Sequence, residues 1–191
     1  MSAVMTNRLP RPRVSVEEYY RMAEVGLIAP DARTELIEGE VIEMAPMGSP
    51  HAGRVSQLSH LIFPALGNSG LMRVQLPVHL DDYSEPMPDL AVVRPRKDFY
   101  SSRHPGSADT LLILEVSESS LRFDRDVKVP LYSRHQVPEV WLLDLSHDRI
   151  HFFRAPRDGT YTDVSFADET KAVALSALPE ITVDLSGLFE S

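Results

Sequence analysis

Glu115 interrupts one of the most apolar stretches of the sequence. It stands in "LLILEVSESS", residues 111–120, after four aliphatic residues and shortly before a serine-rich turn. A continuous apolar run of this kind predicts a strand that is buried on both faces, where an unpaired carboxylate is costly. The alternative is an acid at a strand end that already faces water. If the strand is buried, Glu115 requires a compensating charge.

Asp89 is a second carboxylate at the edge of a predicted strand. It follows Pro88 and opens "DLAVV". If this strand and the strand of Glu115 are antiparallel neighbours, the start of one lies beside the end of the other and both carboxylates meet. Two carboxylates with a few waters suit a hard ion, Mg²⁺ or Mn²⁺. Thiolate metal sites are excluded, because the chain has no cysteine. Turn chemistry is the simpler interpretation of the Pro-Asp pair.

Lys128 is a cation that follows these acids in the sequence. The chain has sixteen arginines and only three lysines, so a lysine here is an uncommon choice for this protein. A lysine ammonium is a compact charge whose pKa shifts on burial, whereas arginine stays protonated. Lys128 lies in the first part of a predicted helix, within reach of the strand end that carries Glu115. An exposed helical lysine is the alternative interpretation.

The elements that must position these residues are, in order, a helix, a hairpin, a helix, three strands, a helix, a strand and a strand pair. Ser15 and Glu18 predict a capping box for the first helix, and Ser49 predicts the N-cap of the second, which Pro64 is expected to kink or end. "LMRVQLPVHL" alternates and predicts a half-buried strand with Val74 and Leu76 inward. A helix between two apolar strands predicts a parallel crossover. The predicted fold class is α/β, a mixed central sheet with helices on its faces.

Composition limits the possible function classes. A length of 191 residues with 43% hydrophobic and 25% charged residues is typical of one soluble domain, which we predict over residues 14–191 after a flexible N-terminal arm at 1–13. No segment predicts a membrane span or a secretory signal, so the expected location is cytoplasmic. A net charge of −9 argues against a protein whose whole surface is basic and binds nucleic acid. A local basic groove is still compatible with this charge. Candidates for such a groove are Arg94, Arg96 and Lys97, or Arg122 and Arg125.

An ordered set of motifs resembles the Uma-two family of endonucleases, which have the restriction-endonuclease-like, PD-(D/E)XK fold. The motifs are "ELIEGEVIEM", "SPHAGRVSQL", "VQLPVHLDD", "PDLAVV", "LEVSESS" and "DRDVKVPLYSRHQVPEVWLLD", within Glu17 to Phe189. The resemblance implies one restriction-endonuclease-like domain with an added N-terminal helix and β-hairpins. It also implies a Mg²⁺- or Mn²⁺-dependent endonuclease whose partner is nucleic acid, with DNA as the expected substrate. A homodimer is compatible with this activity, since a symmetric dimer would offer two cleavage sites to a duplex.

The same resemblance implies roles for five residues. Asp89 and Glu115 correspond to the metal-binding acids. The lysine that the parent fold carries two residues after the second acid is Ser117 here, and the family position on the next helix corresponds to Lys128. Glu35 and His51 match an acid and a histidine of the family and would complete a metal shell or contact phosphate. The alternative interpretation of Glu35 is an exposed charge on the hairpin, and that of His51 is a surface residue that caps the helix.

Two other functions are compatible with the sequence. One is a catalytically silent binding or accessory module that keeps the nuclease fold. The other is a structural protein whose acids form a salt-bridge network, in which Lys128 would pair directly with Glu115 and no cleft would surround them.

Overall fold

The computed structural model describes residues 12–167 and 172–189. Its centre is a six-stranded sheet with strand order β3-β4-β5-β6-β7-β8, and two smaller two-stranded sheets, β1-β2 and β9-β10, lie outside it. The helices are α1 (Val16–Glu24), α2 (Ser49–Leu66), α3 (Leu121–Phe123) and α4 (Val129–Arg134), and a π-helical stretch, Asp124–Lys128, joins α3 to α4. The strands are β1 (Thr34–Ile37), β2 (Glu40–Glu43), β3 (Leu71–Val74), β4 (Leu90–Val93), β5 (Thr110–Ser117), β6 (Glu139–Asp144), β7 (Arg149–Arg157), β8 (Thr160–Ala167), β9 (Ala172–Leu175) and β10 (Leu178–Asp184).

The central sheet is mixed, as predicted. β5 and β6 are parallel, and every other neighbouring pair of the sheet is antiparallel. The helical segment from α3 to α4 connects β5 to β6, because a parallel pair cannot be joined by a tight turn. β4 and β5 are antiparallel neighbours, which is the condition under which Asp89 and Glu115 meet, and the predicted strand pair of β7 and β8 is confirmed.

Side-chain alternation divides the core into two layers, one on each face of the sheet. Leu90, Val92, Leu112 and Leu114 face α2 and the β9-β10 pair. Ala91, Val93 and Ile113 face the opposite way, toward α4 and Tyr100. β4, β5 and β6 are buried along their whole length, which explains why their sequences are apolar runs without polar alternation. Both layers therefore share the same three central strands.

The N-terminal helix and hairpin are where the sequence predicts them. Ser15 and Glu18 form the predicted capping box of α1, and the β1-β2 turn lies at Glu38 and Gly39. Gly39 has a φ of 84°, and a Cβ there would lie 2.6 Å from the Cβ of Arg13, so glycine is required on both grounds. Residues 1–11 of the predicted N-terminal arm lie outside the described residues.

Two local predictions are wrong. β3 ends at Val74, whose side chain is exposed, whereas Arg73 points inward. The predicted alternation does not continue to Leu76, because the strand ends at Val74 and the next residue, Gln75, has a φ of 50°. The N-cap of α2 is Gly48, one residue before the predicted cap. Of the two outcomes expected at Pro64, the helix does not end there but continues to Leu66. No helix within the described ranges is long and apolar enough to cross a membrane.

Candidate active site

The register of β4 against β5 brings two carboxylates to one edge of the sheet. Leu90 pairs with Leu114, so Asp89 lies one residue further along, opposite Glu115. Both side chains are on the α4 face, since Ala91 and Ile113, two residues away from each acid, pack in that layer. The backbone N–H of Val116 donates to Asp89 Oδ2 at 2.9 Å, which fixes the carboxylate at the strand edge. The predicted meeting of Asp89 and Glu115 is therefore present.

Asp89 is held as an anion by three donors. Besides Val116 N–H, His51 Nε2 lies 2.9 Å and Gln75 Nε2 lies 3.2 Å from Oδ1. Burial opposes ionisation of Asp89, but the bonds to His51 and to the Val116 N–H outweigh it and lower the pKa of the carboxyl. The same hydrogen bond to Asp89 raises the pKa of His51, which lies in the first turn of α2. The contact with Asp89 therefore favours the protonated form of His51.

Glu115 and Lys128 form a buried contact between a carboxyl group and an ammonium group. Lys128 Nζ lies 2.8 Å from Glu115 Oε1 and 3.1 Å from Glu35 Oε2, and the Lys128 residue is only 2% exposed. Tyr132, one turn further along, donates its hydroxyl to the same Oε1 at 2.6 Å. Burial raises the pKa of Glu115 to about 8, because Lys128 only partly offsets the loss of water and is shared with Glu35. Burial disfavours the ammonium, but the two carboxylates outweigh it and raise the pKa of Lys128.

Glu35 reaches the site from the β1-β2 hairpin. It is buried in β1, and its Oε2 accepts both the Lys128 ammonium and the backbone N–H of Met87 at 3.0 Å. Met87 stands two residues before Asp89, so the bond ties the hairpin to the loop that carries the first acid. Glu35 is therefore not the exposed hairpin charge that was its alternative interpretation.

Asp124 is a site residue that the sequence reasoning missed. It is buried at the start of the π-helical stretch that ends with Lys128. Its Oδ2 accepts the hydroxyls of Ser117 and Ser120, each at 2.6 Å. Ser117 occupies the position of the expected lysine and here fastens the strand end to the helical segment. The signal for Asp124 was its place four residues before Lys128, on the same helical face.

All five predicted site residues line one cleft. The cleft has a volume of about 300 Å³ and is lined by Glu35, His51, Asp89, Glu115 and Lys128, together with Asp124 and segments of the β2-α2 loop. Lys128 does pair directly with Glu115, as a structural salt-bridge network requires. A purely structural network would also have no cleft around these acids, and the observed cleft contradicts that expectation.

The donor set fits an ion that keeps part of its water shell. Glu115 uses Oε1 for Lys128 and Tyr132, while Oε2 has no hydrogen-bond partner among the described residues. Asp89 Oδ2 accepts only the Val116 N–H, so it retains a lone pair for a cation. The described residues contain no group of three or more acids or histidines arranged to enclose a metal. Two carboxylates with water and substrate oxygens are the coordination typical of Mg²⁺.

Comparisons with known proteins agree with this fold. One solved structure, described as "a putative nuclease belonging to DUF820" from Anabaena variabilis, is 17% identical with a TM-score of 0.68, over 92% of this chain and 97% of that chain. At this identity the likeness shows the fold, and the predicted nuclease-type architecture is confirmed. The chain matches none of the curated proteins with which it was compared.

The family comparison covers most of the chain. The family model described as "Uma2: Putative restriction endonuclease" matches residues 16–186. That range contains the paired strands, the hairpin acid and the helical segment that together form the cleft. The match agrees with the motif resemblance in the sequence, and the chain therefore belongs to the Uma2 family of restriction-endonuclease-like proteins.

Proposed function

We propose that the protein is a divalent-metal-dependent endonuclease that hydrolyses phosphodiester bonds, with DNA as the substrate. The observation that carries the proposal is the convergence of Asp89, Glu115 and Lys128 in one cleft, although they come from two strands and a helical segment. Burial of three ionisable groups next to one another costs stability, and such clusters are typical of reactive sites.

Asp89 and Glu115 would hold the metal, with the Val116 carbonyl as a further ligand. A bound Mg²⁺ or Mn²⁺ supplies positive charge at the scissile phosphate and lowers the pKa of water. The ionised state of Asp89, maintained by His51 and the Val116 N–H, suits this role. The proton that burial favours on Glu115 has to leave when a cation is bound there.

Lys128 would position the attacking water or a phosphate oxygen. Two of its three N–H donors are used by Glu115 and Glu35, and the third is left for substrate. Glu35 acts through Lys128: it fixes the ammonium at the cleft wall and is a positioning residue. His51, protonated beside Asp89, would donate to a phosphate oxygen.

The test is a cleavage assay on plasmid and on synthetic single-stranded, double-stranded and branched DNA, with Mg²⁺ or Mn²⁺ against chelator. Asp89→Asn and Lys128→Met should each reduce cleavage by at least about 100-fold, the scale expected when charge stabilisation of the transition state is removed. Asp126→Asn and Arg134→Met are matched controls, since both side chains lie on the same helical segment but are exposed. Activity that survives in chelator, or in Asp89→Asn, contradicts the proposal.

A catalytically silent module is the second candidate, and the charge of the cleft favours it. Glu43 and Glu118 line the same cleft besides the acids already described, so carboxylates outnumber cations there. Phosphate would be repelled unless a divalent ion is bound. If the protein is a silent module, Mg²⁺ will leave its melting temperature unchanged, whereas a working metal site is stabilised by its ion.

A further inference from the structure

Arg73 is a buried guanidinium without a carboxylate partner. The residue is 8% exposed, and no acid lies within 4.0 Å of it in the described part of the chain. Its Nη2 contacts His104 Nδ1 at 3.4 Å, and its Nε is buried with no hydrogen-bond partner there. Burial lowers the pKa of His104, and an imidazole carries no negative charge whether protonated or neutral, so His104 is not a counter-charge for Arg73. Buried charges are normally paired, so Arg73 lacks an anion.

Two further arginines surround the same aromatic ring. The guanidinium carbons of Arg73, Arg96 and Arg103 lie 5.8, 5.3 and 5.8 Å from the centroid of the Tyr100 ring. Three guanidinium groups around one ring concentrate positive charge there, although the protein as a whole is acidic. Arg96 pairs with Asp98 at 2.7 Å and Arg103 with Asp109 at 2.8 Å. Both pairs are partly exposed and therefore weak, so a stronger anion can compete for the guanidinium groups.

The turn that presents these arginines is strained. Phe99 and Tyr100 have φ values of 51° and 61°, a conformation that bulky side chains rarely adopt. The strain places the Tyr100 ring inward, where its hydroxyl donates to the Arg94 carbonyl at 2.8 Å, and leaves Phe99 70% exposed. An exposed aromatic ring beside clustered arginines is the combination that binds nucleic-acid strands by base stacking and phosphate contacts.

The arginines lie on the same sheet face as the candidate active site. Tyr100 belongs to the core layer that contains Tyr132, whose hydroxyl contacts Glu115. Arg73 pairs across strands with Ala91, two residues from Asp89, which is roughly 7 Å along a strand. Arg96 and Arg103 lie beyond the far end of β4, so the positive charge extends away from the cleft along the edge of the sheet.

We propose that Arg73, Arg96 and Arg103, here called the arginine surface, bind a backbone phosphate of the nucleic acid that is not the one cleaved. Phe99 stacks on a neighbouring base. The inference rests on the proposed function, because it assigns the phosphate to the substrate strand. The arginine surface would hold the strand beside an acidic cleft that binds phosphate poorly by itself.

The first experiment measures the anion site alone, with inorganic phosphate as the probe and chloride at equal ionic strength as the reference. Phosphate should raise the melting temperature of the wild type, and Arg96→Ala/Arg103→Ala should remove that rise. Arg73→Met tests the buried arginine of the three and should reduce the same rise. Arg94→Ala is the matched control, because Arg94 lies in the same segment but its side chain bonds the Ala108 carbonyl and does not contact the Tyr100 ring. An equal rise in wild type and double variant, or no rise at all, overturns the proposal.

The second experiment assigns the phosphate to nucleic acid. Binding of a labelled single-stranded oligonucleotide is measured by fluorescence anisotropy against salt concentration, with chelator present so that no metal-dependent cleavage occurs. Removal of Arg96 and Arg103 should reduce the slope of log K against log salt by about 0.7, because the proposal assigns these arginines to one phosphate. Phe99→Ala should weaken binding without changing the slope. If the slope is unchanged while the phosphate effect is lost, the surface binds small anions only and the nucleic-acid assignment is wrong. Neither the melting temperature nor the binding measurement depends on cleavage. Failure of the nuclease proposal is therefore detected by the cleavage assay alone and can be distinguished from failure of this one.

Discussion

Two buried carboxylates share a single lysine at the centre of the candidate site. Lys128 contacts both Glu35 and Glu115, whereas Asp89 has its own partner in His51. One ammonium cannot neutralise two carboxylates, and burial makes the remaining charge costly. The burial-driven rise in the pKa of Glu115 to about 8 expresses this imbalance. Glu115 is thus the residue whose protonation state responds to any added cation.

The pH dependence of stability should report Glu115 directly. Its pKa is about 8 in the folded protein against 4.5 for the ordinary group, so the folded state binds the proton more tightly. The resulting stability is fully present below pH 4.5 and is lost as the pH rises toward 8. We expect urea unfolding in chelator to show a wild-type stability that falls between about pH 5 and 8 relative to Glu115→Gln.

The glutamine variant is the internal control for this measurement, because it keeps the size and hydrogen-bonding shape of the side chain without titrating. Groups remote from the site titrate equally in both proteins, so the difference between the two proteins reports Glu115 and the neighbours that its charge affects, Glu35 and Lys128. A difference in unfolding free energy that stays flat from pH 5 to 9 would show that Lys128 keeps Glu115 ionised throughout.

At the scale of elements, a π-helical stretch delivers the lysine that β5 does not carry. In Asp124–Lys128 the N–H of Val129 bonds to the Asp124 carbonyl, five residues back, which widens the turn. Asp124 at its start and Lys128 at its end are both buried against the sheet. Asp124 anchors the segment through Ser117 and Ser120, and Lys128 then reaches Glu115.

Asp124 should therefore stabilise the protein by anchoring the segment that carries Lys128. Asp124→Ala removes two hydrogen bonds to a carboxylate, and we expect a loss of about 2–4 kcal/mol in the free energy of unfolding. Asp124→Asn keeps one acceptor oxygen and should recover part of that loss. Asp126→Asn, which alters an exposed acid in the same stretch, should change stability by less than about 0.5 kcal/mol. Chemical denaturation measures all three, and equal values for Asp124→Ala and Asp126→Asn would contradict the anchoring role.

The sequence predicts elements well where burial is uniform and poorly where an edge or an unusual backbone intervenes. β4 and β5 are continuous apolar runs, so their centrality follows from composition. The inward side chain of Arg73 could not be predicted, since alternation favoured Val74. The end of β3 before Gln75, which has a positive φ, was not signalled by a glycine. The role of Lys128 came from a family resemblance, because a residue thirteen positions after Glu115 reaches it only through the geometry of the intervening segment.

At the scale of the whole molecule, charge and core are arranged about the same three strands. The acidic cleft lies at one end of β4 and the arginine surface extends to the other end, although the chain carries a net charge of −9. α2 with β9-β10 covers one face of the sheet, and α4 covers the other. Since β4, β5 and β6 contribute to both core layers, neither layer can lose its packing while the other stays intact.

Residues 14–191 should consequently unfold as one domain. Trp141, the single tryptophan, is fully buried in the α2 layer and contacts Phe152 edge-on, with ring centroids 5.5 Å apart. Its fluorescence reports that layer alone, whereas far-UV circular dichroism reports every helix and strand. We expect the urea midpoints from the two signals to coincide, as they do for a two-state transition. Tyr132→Phe, which perturbs the opposite layer by removing the hydroxyl that binds Glu115, should shift both midpoints together. A shift in the circular dichroism midpoint that leaves the Trp141 midpoint unchanged would mean that the two faces unfold independently and that the single-domain prediction is wrong.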